Sequence, residues 1–67
     1  MGAGDSKPEI YIECIVQGGL MKVTAIDSAS GTEASVFGPA STSSREVLTR
    51  NAVAKLAYVL KKNAKVP

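Results

Sequence analysis

The sequence predicts an α+β fold in which a three-stranded antiparallel β-meander carries one C-terminal α-helix across one of its faces. Three early segments that alternate apolar and polar residues, two short glycine-containing turns and a capped amphipathic segment support this prediction. The chain has 67 residues, a length typical of one small domain. We therefore expect a single βββα domain over residues 9–63, a disordered tail over residues 1–8 and a frayed C-terminus over residues 64–67.

The first two strands are predicted on either side of a pair of glycines. Residues 9–17 alternate with the period of two that a strand requires and are rich in β-branched side chains. Gly18 and Gly19 suit a two-residue type I′ hairpin, because both central positions of that turn need a positive φ. Residues 20–27 then form the second strand.

A second turn leads to the third strand. Asp27 can accept hydrogen bonds from the turn, and Gly31 can adopt the left-handed conformation that closes it. Residues 32–37 are predicted to form the strand. We expect the Gly-Pro pair that follows to end it, because Pro39 cannot donate to a β-ladder.

The C-terminal helix is predicted over residues 44–63. Ser43 as the N-cap and Glu46 three positions later fit a capping box. At about 100° per residue, one group of apolar side chains falls within an arc of about 140°. These residues are Leu48, Ala52, Val53, Leu56, Val59 and Leu60. A helix that lies on a sheet needs one broad buried face of this kind.

The lengths of the two turns set the expected register of the strands. A two-residue first loop places Cys14 opposite Val23, and a four-residue second loop places Val23 opposite Val36. The other residues on the same face are Ile12, Val16, Met21, Ala25 and Ala34. We expect this apolar face to lie buried beneath the helix, with Cys14 as an inert buried thiol.

Composition excludes several kinds of function. The chain has no His, so it cannot form a His-based catalytic triad or offer a His metal ligand. One Cys allows neither an intrachain disulfide nor a Cys-rich zinc site. We therefore expect no enzyme activity, no cofactor and no metal. No apolar stretch approaches the ~20 residues of a membrane span, and no secretory signal is recognisable, so we expect a cytoplasmic protein without membrane contacts.

The opposite face of the sheet is the candidate interaction surface. It carries apolar side chains between polar ones, and so short a chain has nothing left to cover it. The candidate residues are Tyr11, Ile15, Lys22, Ile26 and Phe37. We expect a homodimer or another protein partner here, and the alternative is a half-solvated antiparallel face with tolerated apolar residues.

The helix offers two further candidate surfaces. A weaker stripe with i, i+4, i+7 and i+11 spacing could pack against a partner helix. Its residues are Val47, Asn51, Ala54 and Tyr58. Basic residues on the solvent side could contact phosphates, and these are Arg50, Lys55, Lys61, Lys62 and Lys65. A net charge of +2 is small for a nucleic-acid-binding module, so we expect a solvated face whose late lysines complement the helix dipole.

Two known families show similarities to this sequence. The order strand–strand–strand–helix and the segment Asn51–Ala57 resemble the C-terminal part of a double-stranded RNA-binding domain. That family begins its last helix with a basic cluster, whereas Ser44–Thr49 occupies the position here. The resemblance therefore does not imply RNA binding for this chain.

The second resemblance is to a family of very small alphaproteobacterial proteins of unknown function. It is carried by Val23–Asp27, Gly31–Glu33, Gly38–Pro39 and Lys55–Leu60. It implies a bacterial cytoplasmic protein without an assigned activity and adds no site residues. The leading hypothesis is thus a non-enzymatic module that self-associates or binds another protein, and a nucleic-acid-binding accessory protein is the alternative.

Overall fold

The computed structural model describes residues 9–64, and the side chains of residues 9–62. Its elements are β1 (Ile10–Gln17), β2 (Leu20–Asp27), β3 (Glu33–Pro39) and α1 (Thr42–Ala64). The strands form one antiparallel sheet in the order β1-β2-β3. The predicted α+β fold with a C-terminal helix is confirmed. The tail expected over residues 1–8 lies outside the described residues, and so do residues 65–67 of the end expected over residues 64–67. Ala64 is the last residue of α1.

The predicted register is confirmed along both ladders. Cys14 pairs with Val23, and Val23 pairs with Val36. Ala25 similarly pairs with Ala34. Because side chains alternate strictly along a strand, these pairs place one continuous apolar face on the side of the sheet that carries the helix.

The two turns differ in how closely they follow the sequence prediction. Gly18 has a φ of 63°, whereas Gly19 does not have a positive φ. A type I′ turn is therefore wrong, and the pattern is that of type II′, in which only the first central residue needs a positive φ. The second turn is as expected: Gly31 has a φ of 77°, and Asp27 Oδ2 accepts hydrogen bonds from Ser30 N at 3.0 Å and Ser30 Oγ at 2.7 Å.

The third strand runs two residues further than the sequence predicts, through Pro39. Ala40 N–H donates to Gly19 O at 3.0 Å. Because successive residues of a strand direct their backbone groups to opposite sides, the nitrogen of Pro39 faces the outer edge of the sheet. No partner strand needs a donor at that position, so the strand tolerates the proline.

The helix begins earlier than predicted, and its cap is Ser41 rather than Ser43. Ser41 Oγ accepts a hydrogen bond from Ser44 N at 3.1 Å, and Arg45 N–H donates to Ser41 O at 3.0 Å. The capping box with Glu46 is therefore wrong. Several hydroxyl residues follow one another here, and the earliest one that can reach an unpaired helical N–H provides the cap.

The core lies between α1 and only two of the three strands. Leu48, Ala52 and Leu56 are buried, and α1 packs on β2 and β3. The other three residues of the predicted arc, Val53, Val59 and Leu60, are half-buried.

The helix leaves the helix-facing side of β1 largely uncovered. Ile12 is 40% exposed and Val16 is 56% exposed, and Cys14 is half-buried against the core. The expectation that all three residues lie buried under the helix is wrong. The link from β3 to α1 contains only residues 40–41, so the helix starts beside β3. With a diameter of about 10 Å, it spans two strands spaced about 4.8 Å apart.

Candidate interaction surface

The sheet face opposite the helix brings the predicted interaction residues together. We call this surface the outer face. Tyr11 pairs with Ile26 toward one end, and Lys22 lies between Ile15 and Phe37 toward the other. All five predicted residues therefore occupy one surface. No other described element covers it.

The outer face exposes large apolar side chains from all three strands. The exposed fractions are 55% for Tyr11, 51% for Ile15, 51% for Leu20 and 60% for Phe37. Leu20 was not among the five candidate residues, although strand parity alone places it on this face. Ile26 and Lys22 are half-buried.

Polar groups at the centre of the outer face satisfy one another. Thr24 is only 4% exposed, and its Oγ1 lies 2.8 Å from Ser35 Oγ in a hydrogen bond. The Lys22 ammonium lies 6.0 Å from the centroid of the Phe37 ring, at the outer limit of a cation–π contact. Each of the two hydroxyl oxygens at the centre of the outer face therefore already has a hydrogen-bond partner.

Tyr11 lies at the edge of this face, where Glu9, two residues earlier in the chain, contacts its hydroxyl group. Its hydroxyl donates a hydrogen bond to Glu9 Oε1 at 3.1 Å. The pKa of Tyr11 is raised above its ordinary value of 10.0, mainly by this hydrogen bond and to a lesser extent by the negative charge of Glu9. Tyr11 is therefore neutral near pH 7 and presents an uncharged ring to any partner.

Strand β1 also exposes apolar side chains on its helix-facing side. We call Ile10, Ile12 and Val16 the open row. They are 45%, 40% and 56% exposed, respectively. Because Tyr11 and Ile15 are exposed on the other side, β1 presents hydrophobic surface on both faces. The sequence pattern identified these residues as apolar but gave no indication that the helix would leave them uncovered.

The basic residues of the described helix lie on its solvent side, as expected. Relative to Leu56, Arg50, Lys61, Lys62 and Lys55 lie at about 120°, 140°, 240° and 260°, so they fall within one arc of about 140° opposite the buried stripe. Lys55 Nζ donates a hydrogen bond to Ser35 O at 3.0 Å, so this cation is directed at β3. The fifth predicted residue, Lys65, lies outside the described residues.

The second helical stripe is exposed as expected. Val47 is 48% exposed and Tyr58 is 65% exposed, and Asn51 and Ala54 are exposed as well. This stripe has two large apolar side chains, whereas the outer face has five. The outer face is therefore the larger hydrophobic surface.

We expect only weak, salt-sensitive binding of nucleic acid. A protein that neutralises several phosphates loses affinity steeply as salt rises, and a net charge of +2 is small for such a protein. A fluorescence-anisotropy titration against duplex and single-stranded oligonucleotides at low and physiological salt measures this. A tight complex at physiological salt that weakens in Lys61→Glu plus Lys62→Glu would contradict the expectation.

The described residues offer little for chemistry at a buried site. Among them, no group of three or more His, Cys, Asp or Glu side chains could hold a metal ion. Every buried side-chain N or O atom of the described residues has a hydrogen-bond partner. None of the described helices combines the length and apolar character needed to cross a membrane.

Comparison with known proteins identifies a family and no activity. No curated protein and no solved structure matches the chain. A family model described as a domain of unknown function, DUF6898, matches residues 7–63. This range includes all three strands and nearly all of α1. The chain therefore belongs to the DUF6898 family.

Proposed function

We propose that this chain is a non-enzymatic protein-interaction module that self-associates through the outer face of its sheet. The observation that supports this most directly is the set of large apolar side chains that remain about half-exposed there. Several large exposed apolar side chains on one face are typical of a protein–protein contact.

The arrangement of polar groups favours burial of this face against a second copy. The apolar residues lie at its two ends, and the Thr24–Ser35 hydrogen bond occupies its centre. A contact would therefore cover two hydroxyl groups that already share one hydrogen bond, which lowers the cost of burying them. Glu13, Glu33 and Lys22 also lie on this face, so a twofold-related copy can place opposite charges near each other.

The expected affinity is modest. Covering a large apolar side chain that is half-exposed gains about 1–1.5 kcal/mol. Each copy contributes four such residues, so the total of about 8–12 kcal/mol exceeds the lower end of the association cost, about 4 kcal/mol, by about 4–8 kcal/mol. We therefore expect a dimer with a Kd between about 1 μM and 1 mM.

Sedimentation of Phe37→Glu tests the proposal. Phe37 is the most exposed apolar residue of the outer face, at 60%, so the substitution adds a charge without disturbing the core. We expect the wild type to self-associate between about 10 μM and 1 mM, and we expect Phe37→Glu to weaken the outer-face contact by at least tenfold.

The matched control is Tyr58→Glu, on the exposed side of the helix. It introduces the same charge at a residue that is 65% exposed, and it should sediment as the wild type does. A wild-type chain that remains monomeric at about 1 mM would overturn the proposed self-association. Dissociation by Tyr58→Glu but not by Phe37→Glu would move the contact to the helix.

A further inference from the structure

We propose that a second copy of this chain pairs with the outer edge of β1, in an antiparallel arrangement whose twofold axis passes beside Cys14. The two sheets would then join into one continuous six-stranded sheet. This contact goes beyond the proposed function, because it uses the edge of the sheet rather than its outer face.

Strand β1 has the features of an edge that is available for pairing. It is eight residues long and pairs continuously with β2. It contains no proline, and Glu13 is its single charged residue. No other described strand pairs with its outer edge. A long apolar edge of this type readily accepts another strand.

The opposite edge of the same sheet is protected. Pro39 lies at the end of β3 and provides no N–H group. Lys55 Nζ donates a hydrogen bond to Ser35 O, which is one of the backbone acceptors along that edge. Glu33 places a charge at the other end of the strand. Proline and charged residues are common means of preventing edge pairing, and the contrast therefore selects β1.

The backbone of β1 determines which groups are available. Ser28 N–H donates to Glu9 O at 2.9 Å, so the odd-numbered residues direct their backbone groups toward β2. The even-numbered residues therefore direct theirs to the outer edge. Ile12, Cys14 and Val16 can each exchange backbone hydrogen bonds with a second antiparallel strand.

Charge selects the register. Two arrangements pair most of the strand and keep the helices of both copies on the same side of the joined sheet. In one, Glu13 lies directly opposite the partner's Glu13, and like charges at this distance are unfavourable. In the other, Cys14 lies opposite the partner's Cys14, Ile12 opposite the partner's Val16, and Glu13 opposite the partner's Ile15. The second arrangement avoids the repulsion.

The selected register uses the surface that the helix leaves open. It forms about six backbone hydrogen bonds, because each of the three opposed pairs exchanges two. It also brings together the Ile12 and Val16 side chains of both copies, which are 40% and 56% exposed in one chain. A stable interface removes roughly 800 Å² from each partner, about a sixth of the chain's 4719 Å². One strand supplies part of that area, so we expect weak to moderate affinity.

The edge contact and the outer-face contact are compatible. Edge pairing leaves both outer faces uncovered and side by side. If both contacts form and their twofold axes intersect at right angles, the chains assemble into a tetramer with D2 symmetry. Separate substitutions remove the two contacts, so an experiment can disprove the edge contact without disproving the outer-face contact.

Disulfide trapping with diamide tests the register. In the selected arrangement the two Cys14 Cα atoms lie about 5.5 Å apart, within the range that a disulfide can bridge. We expect wild-type protein to form a covalent dimer. In a Cys14→Ser background, Ile12→Cys should not self-link, because its counterpart lies about 14 Å away along the strand. A mixture of Ile12→Cys with Val16→Cys should restore the link.

The control for random collision is Tyr58→Cys in the Cys14→Ser background, since Tyr58 is 65% exposed. We expect the wild-type thiol to link at least tenfold faster than this control, although it is less exposed. Equal or slower linking of Cys14 would overturn the proposal, and so would efficient self-linking of Ile12→Cys.

Sedimentation under reducing conditions provides the second test. Val16→Lys places a charge on the edge at a half-exposed position, and a thermal melt checks that the variant folds. We expect Val16→Lys to lose the edge contact, with at least a tenfold rise in its Kd, while Phe37→Glu retains it. Association that Val16→Lys leaves unchanged overturns the edge proposal and leaves the outer-face proposal standing. Association that is lost in Val16→Lys but unchanged in Phe37→Glu supports the edge proposal and overturns the outer-face proposal.

Discussion

Replacing Leu56 with Ala is expected to remove most of the stability of this domain, by lowering the free energy of unfolding by about 2–5 kcal/mol. Leu56 is fully buried and lies near the middle of the buried stripe of α1. It and Val23 are the largest side chains with no exposed surface. The loss combines the hydrophobic transfer energy of the deleted atoms with the cavity that they leave.

The size of this effect follows from the size of the chain. A domain below about 70 residues rarely gains more than about 3–5 kcal/mol from its core. The helix packs on only two strands, so few neighbours can move into the space that Leu56 would leave. Chemical denaturation of Leu56→Ala should therefore show a population of unfolded protein even without denaturant.

The matched control is Val47→Ala on the same helix. Val47 is 48% exposed, and the substitution should change the free energy of unfolding by no more than about 0.5 kcal/mol. Because alanine favours a helix more than leucine does, a loss in Leu56→Ala comes from packing rather than from helix propensity. A melting midpoint near that of the wild type would show that Leu56 does not lie in the core.

The strand register could be predicted because turn length and side-chain parity determine it together. A shift of one residue would turn Val23 and its neighbours away from the helix, so the apolar pattern allows one solution. The bounds of β2 are as predicted, and those of β1, β3 and α1 differ from the prediction by one or two residues. Terminal residues depend on caps and edges, and short-range sequence patterns specify these less strongly.

The uncovered state of β1 could not be predicted in the same way. Ile12 and Val16 have the parity and the composition of core residues, and nothing local separates them from Met21 or Ala25. Their exposure depends on where the helix lies, which depends on the short link after Pro39 and on the width of a helix. These are properties of the whole fold, and the proposed edge contact of β1 depends on them.

The residues that form the outer face could be predicted from strand parity. Parity assigned Tyr11, Ile15 and Phe37 to it correctly. The burial of Thr24 through its hydrogen bond to Ser35 was not predicted. The hydrogen bond from Lys55 to Ser35 depends on how the helix lies on β3, so a count of charges along the segment could not show it.

Replacing Gly38 with Ala is expected to destabilise the domain by about 1–3 kcal/mol through overpacking. A Cβ atom at this position would lie 2.9 Å and 3.0 Å from the two Cδ atoms of Leu48 and 3.3 Å from its Cγ. Gly38 belongs to β3, and Leu48 is only 7% exposed. The absence of a side chain at Gly38 thus lets the start of the helix approach the end of the sheet.

Gly38→Ala has two effects of opposite sign on the free energy of unfolding. Alanine restricts the unfolded chain and stabilises by about 0.4–1 kcal/mol where the backbone permits it, and Gly38 does not have a positive φ. The steric effect is larger, because three atoms of the Leu48 side chain crowd the new methyl group. Rotation of one methyl therefore cannot relieve the contact, and the whole side chain must move within a packed core.

Gly19→Ala is the matched control for this substitution. Gly19 does not have a positive φ, and no atom lies within 4 Å of a Cβ built there. Its replacement should leave stability unchanged or raise it by up to about 1 kcal/mol. Adding Leu48→Ala to Gly38→Ala should cost less than Leu48→Ala costs alone, because the added methyl fills part of the space that Leu48 vacates. Equal thermal midpoints for Gly38→Ala and Gly19→Ala would show that Leu48 yields freely and that the helix is not tightly seated on β3.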